Sequence, residues 1–146
     1  MTKRFLVATL AGMVTIAVVG GLLYGVVFAG FFQRNVDVAV MRNPPALVWI
    51  ALSHIPFGIL LALVVRWRGV LTPGGGAVTG GILGLLMASS YNLSHYGTTT
   101  LWTLRLTLLE PFITMVMVAV AGAVVAAVWR GGVRPAPPRP LAAHRS

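Results

Sequence analysis

Cysteine is absent from the 146-residue chain, and acidic side chains are limited to Asp37 and Glu110. Without cysteine the chain can form no disulfide, no thiolate zinc site and no redox-active thiol pair. Charged residues of both signs make up only 9% of the sequence, whereas soluble domains carry roughly 25%. Together with a hydrophobic content of 58%, this scarcity of charge indicates an integral membrane protein.

Positive charge dominates the few charged residues, with eleven lysines and arginines and a formal net charge of +9. A nucleic-acid-binding protein of this charge would carry a polar, basic face on a folded domain. Here the basic residues stand singly or in pairs at the edges of apolar segments, which is typical of membrane topology signals. We therefore expect the lipid bilayer as a partner, and no nucleic acid.

Four long apolar segments predict four transmembrane helices, because each is close to the roughly 20 residues that span a bilayer. Backbone polar groups in lipid must be satisfied within their own segment, which makes the segments helical. Short connectors favour an all-α, up-down-up-down bundle. The predicted transmembrane domain covers residues 1–130, with helices at about 5–32, 46–66, 77–96 and 101–129, and residues 131–146 form a disordered, Pro/Arg-rich cytoplasmic tail.

The distribution of lysine and arginine predicts that both termini are cytoplasmic. Eight of these residues lie in the N-terminus, the second connector and the tail, against three on the opposite side. Because cytoplasmic segments carry the excess of positive charge, this asymmetry sets the orientation of all four predicted spans.

Small residues recur at every fourth position of the predicted helices. This spacing lets helix backbones approach closely in lipid, where hydrophobicity gives no driving force for association. The sequence leaves open whether such contacts form within one chain or between chains. The stripes are Ala17, Gly21, Gly25 and Ala29 in the first helix, Gly76, Gly80, Gly84 and Ala88 in the third, and Ala119, Ala123 and Ala127 in the fourth, and Gly58 lies on the small-residue face of the second.

Polar side chains are concentrated in the outer halves of the predicted helices. Thr107, Glu110 and Thr114 follow one another at spacings of three and four, so they share one helical face. Asn92 continues the glycine stripe of the third helix. Glu110 is ionisable, and an ionisable group inside a membrane usually marks a functional site. The predicted polar site, open to the outside, contains Tyr24, His54, Tyr91, Asn92, Thr107 and Glu110.

Several of these residues also have simpler interpretations. Glu110 can be a carboxylate at the membrane interface, although Arg105, five positions away, lies off its helical face. His54 can donate to a helix carbonyl, or it can be an axial ligand of a haem or chlorophyll. A metal site formed by His54, His95 and Glu110 has suitable ligand types but no supporting spacing motif, so we predict no metal and no cofactor.

The motifs YGTTTLWTLRLTLLEP, LLYGVVFAGFF and NPP resemble a family of small bacterial four-helix integral membrane proteins of unknown function. The resemblance covers roughly residues 5–130. It implies four helices in a bacterial inner membrane and an acidic–proline pair, here Glu110-Pro111, but it implies no activity. The chain is unlike the small multidrug transporters, whose essential carboxylate lies in the first helix.

These patterns predict a non-enzymatic structural or accessory subunit that packs with itself or with a partner membrane protein. One alternative is a small transporter or proton-coupled carrier that uses Glu110, His54 and Asn92. Another is a haem- or chlorophyll-binding subunit that uses His54. An enzyme is not predicted, because the sequence shows no nucleophile–base pair and no metal motif.

Overall fold

Helices account for nearly all of the residues that the computed structural model describes, residues 2–131. Within this range no β-strand forms, and the all-α prediction is confirmed there. The predicted tail, residues 131–146, lies outside this range apart from Gly131. The helices are α1 (Thr2–Leu22), α2 (Ala29–Asn35), α3 (Leu47–Trp67), α4 (Pro73–Thr98) and α5 (Leu104–Arg130), with a π-helical turn at Leu23–Val27 and a 3₁₀ turn at Val38–Val40.

The predicted helix at residues 5–32 is wrong in one respect, because it is not a single α-helix. The α-helical pattern ends at Leu22 and resumes at Ala29, and the π-helical turn lies between these two residues. The other predicted helices, at residues 46–66, 77–96 and 101–129, coincide with α3, α4 and α5 to within about one turn.

Three of the described helical segments are long and apolar enough to cross a membrane, with mean hydropathies of 2.3, 2.3 and 2.4. The helix α4 has sufficient length, at 26 residues, but glycines, serines and Asn92 make it less apolar. Length and composition thus support an integral membrane protein with three spanning segments, where the sequence predicted four. The segments are Lys3–Val27, Leu47–Trp67 and Leu104–Arg130.

The closest helix contact joins α4 to α5. A Cβ atom on Gly76 would collide with the carbonyl oxygen of Gly122, and one on Gly84 would lie 2.8 Å from the Cβ of Val118. Later glycines of α4 meet earlier residues of α5, so the two helices run antiparallel. The backbones touch because these positions carry no side chain, as the glycine stripe of α4 predicts.

The contact face of α1 lies one residue away from the predicted stripe. At Gly21 and Gly25 no atom lies within 4 Å of the position that a Cβ would occupy, so neither packs within the chain. A Cβ on Gly12 would instead meet Val125 at 3.1 Å, and one on Gly20 would meet Met117 at 3.0 Å. The bulky residues of α5 fit over this neighbouring row and leave the predicted row exposed.

A similar offset occurs in α5. The alanine stripe of residues 119, 123 and 127 is half-buried or exposed. Val118, Gly122 and Ala126 are buried instead, and a Cβ on Gly76 would lie 2.6 Å from the Cβ of Ala126. The closest approach of α5 to α4 therefore runs through Gly122 and Ala126, and not through the predicted stripe of residues 119, 123 and 127.

Only the second half of α3 packs on the other helices. A Cβ on Gly58 would meet the side chain of Met13 and lie 3.1 Å from the carbonyl oxygen of Thr9. Towards its start, α3 presents apolar side chains in several directions, with Leu47 72% and Trp49 70% exposed. We call residues 47–55 of α3, in which no residue is buried, the free half of α3.

The α2 segment is fastened to the start of α5. The Asp37 N–H donates to the Leu101 carbonyl at 3.0 Å, and the Thr103 N–H donates to the Asn35 carbonyl at 3.1 Å. The Thr103 hydroxyl also donates to the Asn35 side-chain oxygen at 2.8 Å. These bonds hold the end of the α1–α2 segment beside the first turns of α5. We call this end of the bundle the α2 end, and the opposite end, where Arg68 lies, the Arg68 end.

We expect Gly84→Leu to lower the thermal stability of the purified protein, because the new side chain would force α4 and α5 apart. Overpacking of this kind costs about 1–3 kcal/mol of unfolding free energy. Gly97→Leu is the matched control, since no atom lies within 4 Å of its Cβ position. Equal melting temperatures for the two variants in detergent would contradict the contact between α4 and α5.

Candidate functional site

Tyr24 lies in the π-helical turn that follows α1. In this turn the Phe28 N–H donates at 2.8 Å to the carbonyl of Leu23, five residues earlier. Such single π turns widen the helix locally and are frequent at functional sites. The Tyr24 ring packs against Phe32 of α2 with 4.9 Å between ring centroids, so the α2 segment supports it from the side.

Glu110 is the one acidic side chain in a membrane-spanning segment of the described chain, and it is only 8% exposed. Thr114 follows one helical turn later on the same face of α5. The Thr114 hydroxyl donates to Glu110 Oε1 at 2.5 Å. The local helix geometry alone therefore gives the carboxyl its first hydrogen-bond partner.

Two further helical segments reach the same carboxyl group. The Tyr24 hydroxyl lies 2.5 Å from Glu110 Oε1 and 2.7 Å from the Thr114 hydroxyl. From α4, the Asn92 amide donates to Glu110 Oε2 at 2.5 Å, and Asn92 is only 1% exposed. We call Tyr24, Asn92, Glu110 and Thr114 the Glu110 cluster. It joins the α1 extension, α4 and α5 through hydrogen bonds.

Every hydrogen-bond partner recorded for the Glu110 carboxyl is a neutral side chain. The nearby cation on the same helix, Arg105, is exposed and lies over the ring of Phe31 at 5.8 Å. This placement agrees with the helical position of Arg105, which is off the Glu110 face. The carboxyl group is therefore held by hydroxyl and amide groups.

Two residues of the predicted polar site bond to their own helix instead of joining the cluster. His54 lies with Nδ1 2.5 Å from the Ile50 carbonyl oxygen, one turn earlier in the free half of α3. Thr107 is buried and donates to the Thr103 carbonyl at 3.0 Å. With Nδ1 engaged, only Nε2 of His54 could ligate a haem.

Tyr91, the remaining predicted residue, is 57% exposed and belongs to an aromatic group at the α2 end. Its ring meets His95 edge-on with 4.7 Å between centroids, and His95 stacks on Trp102 at 5.1 Å. Within residues 2–131 no three His, Asp or Glu side chains are placed to share a metal ion. His54, His95 and Glu110 therefore do not form the metal site considered above.

Apolar packing closes the cluster on the side of the Arg68 end. Ala88 is buried one turn below Asn92, and a Cβ on Gly84 would lie 3.0 Å from the Thr114 carbonyl oxygen. Further towards the Arg68 end, Val118 and Val125 are completely buried. Tyr24 and Thr114 are only half-buried, so the cluster is less enclosed on their side.

Sequence reasoning placed Thr114 on the Glu110 face but did not include it in the site. The spacing of four residues was the available signal, because it predicts side-chain contact in any helix. The π-helical turn at Leu23–Val27 had no comparable signal. It is the turn that carries Tyr24, which reaches the carboxyl from a different helix.

We expect Asn92→Ala to destabilise the protein, because the buried Oε2 of Glu110 would lose its donor. An unsatisfied buried acceptor costs about 1–3 kcal/mol. Ser94→Ala is the control on the same helix, since Ser94 is exposed. Thermal unfolding in detergent measures the difference, and an Asn92→Ala protein as stable as the control would contradict the buried hydrogen bond.

Comparisons with known proteins add no family to this geometry: no family model, no curated protein and no solved structure matches the chain. The resemblance to small bacterial four-helix membrane proteins therefore stays a prediction. The functional argument depends on the arrangement of this chain's own residues.

Proposed function

We propose that the chain is a non-enzymatic integral membrane subunit that associates, through its helices, with a second copy of itself or a partner membrane protein. The observation that carries this proposal is an exposed small-residue stripe formed by Ala17 and Gly21 of α1 and by Gly25 of the π-helical turn; we call it the stripe of α1. In lipid, such a stripe allows a second helix backbone to approach closely, and van der Waals packing then drives association. The glycine stripe of α4 allows the same close approach between α4 and α5.

The free half of α3 supports the same proposal. The helices α1 and α3 meet where Gly58 lies against Met13, and α3 makes no close contact with Gly21 or Gly25 beyond that point. The stripe of α1 is therefore uncovered over about two turns towards the α2 end. A helix from a second copy is a suitable occupant, because it can bring its own stripe against this one.

We further propose that α4 spans the membrane with the other three long helices. Its glycine face lies against α5, whereas Val78, Ile82 and Leu86 on its other face are 60%, 51% and 64% exposed, as lipid contact requires. Antiparallel neighbours then give an up-down-up-down bundle with both termini on one side. The excess of lysine and arginine favours the cytoplasmic side, and the resemblance favours a bacterial inner membrane.

A proton-coupled carrier is the second candidate, and the Glu110 cluster is the observation that favours it. Intramembrane carboxyl groups are common in proton relays. His54, however, lies outside the cluster, and the apolar core around Val118 and Val125 separates it from the Arg68 end. A carrier needs access from both sides of the membrane, so this chain alone supports an accessory role better.

Reporter fusions test the proposed topology. We expect a reporter in the connector at residues 33–45 and one at the C-terminus to report opposite sides of the membrane, because an odd number of spans, three, would separate them. Fusions that report the same side would contradict the four-span arrangement.

Labelled copies in proteoliposomes test the association. We expect Förster transfer between copies of the wild type, and we expect Gly21→Leu to reduce it, because a large side chain would keep the second backbone away. Val18→Leu is the control, since Val18 is also exposed on α1. Absence of transfer in the wild type, or equal transfer in both variants, would contradict self-association through this stripe.

A further inference from the structure

Five basic side chains lie together at the Arg68 end of the bundle. The helix α1 runs antiparallel to α5, since its later glycines meet earlier residues of α5, so the start of α1 lies beside the end of α5. The last turn of α3 reaches the same level, because Arg66 contacts Trp129 near the end of α5. The five basic residues are Lys3, Arg4, Arg66, Arg68 and Arg130.

The chain supplies no acidic side chain to this end. Asp37 and Glu110 are its only acidic residues. The backbone of Asp37 is bonded to that of Leu101 at the α2 end. Glu110 precedes Arg130 by 20 residues in α5, which places it about 30 Å away along the helix axis. The counter-charge of the five cations must therefore come from outside the protein.

Two of these cations are held in place by neutral groups. The Arg66 guanidinium lies over the Trp129 ring, 5.0 Å from its centroid, and Trp129 is only 8% exposed. The Arg68 guanidinium donates at 3.0 Å to the hydroxyl of Thr79, which is 3% exposed. Each guanidinium has five N–H donors, so most of them remain available for another acceptor. The other three basic side chains are exposed.

A buried donor at the same end also lacks a partner. The Trp129 indole N–H has no hydrogen-bond acceptor within residues 2–131, although the side chain is more than nine-tenths buried. Buried polar groups normally have a partner, and each exception requires an explanation. Phosphate oxygens are strong acceptors, so an anion that approaches Arg66 also brings acceptors to the tryptophan that Arg66 covers.

An apolar surface lies directly beside the Arg68 guanidinium. Val78, which precedes the Thr79 partner of Arg68, is 60% exposed, and Ile82 continues the same outer face of α4 at 51%. In the proposed four-span arrangement this face contacts lipid. A molecule with an anionic headgroup and acyl chains would satisfy the cations and this face together, whereas a free anion would satisfy only the cations.

We propose that Arg66 and Arg68 hold the headgroup of an anionic phospholipid, whose acyl chains lie along the outer face of α4. Planar guanidinium groups match phosphate oxygens and form paired hydrogen bonds with them. Basic sites between membrane helices bind anionic headgroups in this way. A zwitterionic lipid fits less well, because its own ammonium group would face cations that have no counter-charge.

This lipid site is separate from the proposed association surface. It lies at the Arg68 end, whereas the uncovered stripe of α1 extends towards the α2 end, so lipid binding holds whether or not the chain self-associates. The position of the acyl chains depends on α4 spanning the membrane, which the reporter fusions test independently.

Native mass spectrometry of the full chain in detergent tests the proposal, because it counts the lipids that remain bound. We expect phosphatidylglycerol to bind at lower concentration than phosphatidylcholine with the same acyl chains. We expect Arg66→Gln combined with Arg68→Gln to weaken phosphatidylglycerol binding roughly twentyfold, since each cation near a headgroup contributes a factor of about five. Inorganic phosphate, which has no acyl chains, should not displace the lipid.

The matched control is Arg34→Gln combined with Arg42→Gln, which removes two exposed arginines at the α2 end. We expect this variant to bind phosphatidylglycerol as the wild type does. Equal loss in both double variants, or equal binding of the two lipids, would overturn the proposal. Displacement by inorganic phosphate would show a site for free anions instead.

A lysine variant keeps the test valid if the glutamine variant does not fold, which its melting temperature without lipid reports. Arg66→Lys combined with Arg68→Lys retains both charges but cannot form the paired hydrogen bonds of a guanidinium. We expect it to bind phosphatidylglycerol more weakly than the wild type. Binding equal to that of the wild type would contradict a site formed by the two guanidinium groups.

Discussion

The close approach of α4 to α5 is the contact on which the rest of the structure depends. Backbone meets backbone where Gly76 and Gly80 face Gly122 and Val118, so neither helix can slide without a collision. This fixed register determines which side chains meet further along the pair. Asn92 continues the glycine row of α4 and therefore reaches α5 at the level of Glu110. A structural stripe thus positions the polar site.

The Glu110 cluster shows how a membrane protein satisfies a buried acid without a cation. Oε1 has Tyr24 of the π-helical turn and Thr114 of its own helix as partners, Oε2 has Asn92 of α4, and all of these groups are neutral. Hydrogen bonds of this kind stabilise helix association in lipid only modestly, by about 0.6–2 kcal/mol each. Their larger effect is on geometry, because three segments must keep their mutual orientation for all the bonds to form.

Much of the helical framework could be predicted from the sequence, because length and apolar content determine where helices form. It was harder to predict which face of each helix is buried. In lipid the outside of a bundle is as apolar as its inside, so hydrophobic periodicity does not indicate which side is buried. Gly20 and Gly21 are adjacent, so their spacing does not indicate which of them is in a helix contact. In the structure Met117 packs against Gly20. On α4, Gly80 and Gly81 are also adjacent, but Gly84 continues the row of Gly76 and Gly80, and this row faces α5. The π-helical turn brings Tyr24 to Glu110 and Thr114, and the sequence pattern carries no signal for it.

The one-sided packing of α3 bears on how the protein fits bilayers of different thickness. Because α3 is held at Gly58, Leu61 and Val65 while its free half lacks buried residues, a change in the direction of the free half would leave the α4–α5 pair in place. Hydrophobic mismatch costs fractions of a kcal/mol per ångström, and helices relieve it by tilting. A thinner or thicker membrane would therefore be accommodated mainly by α3, with the Glu110 cluster left intact.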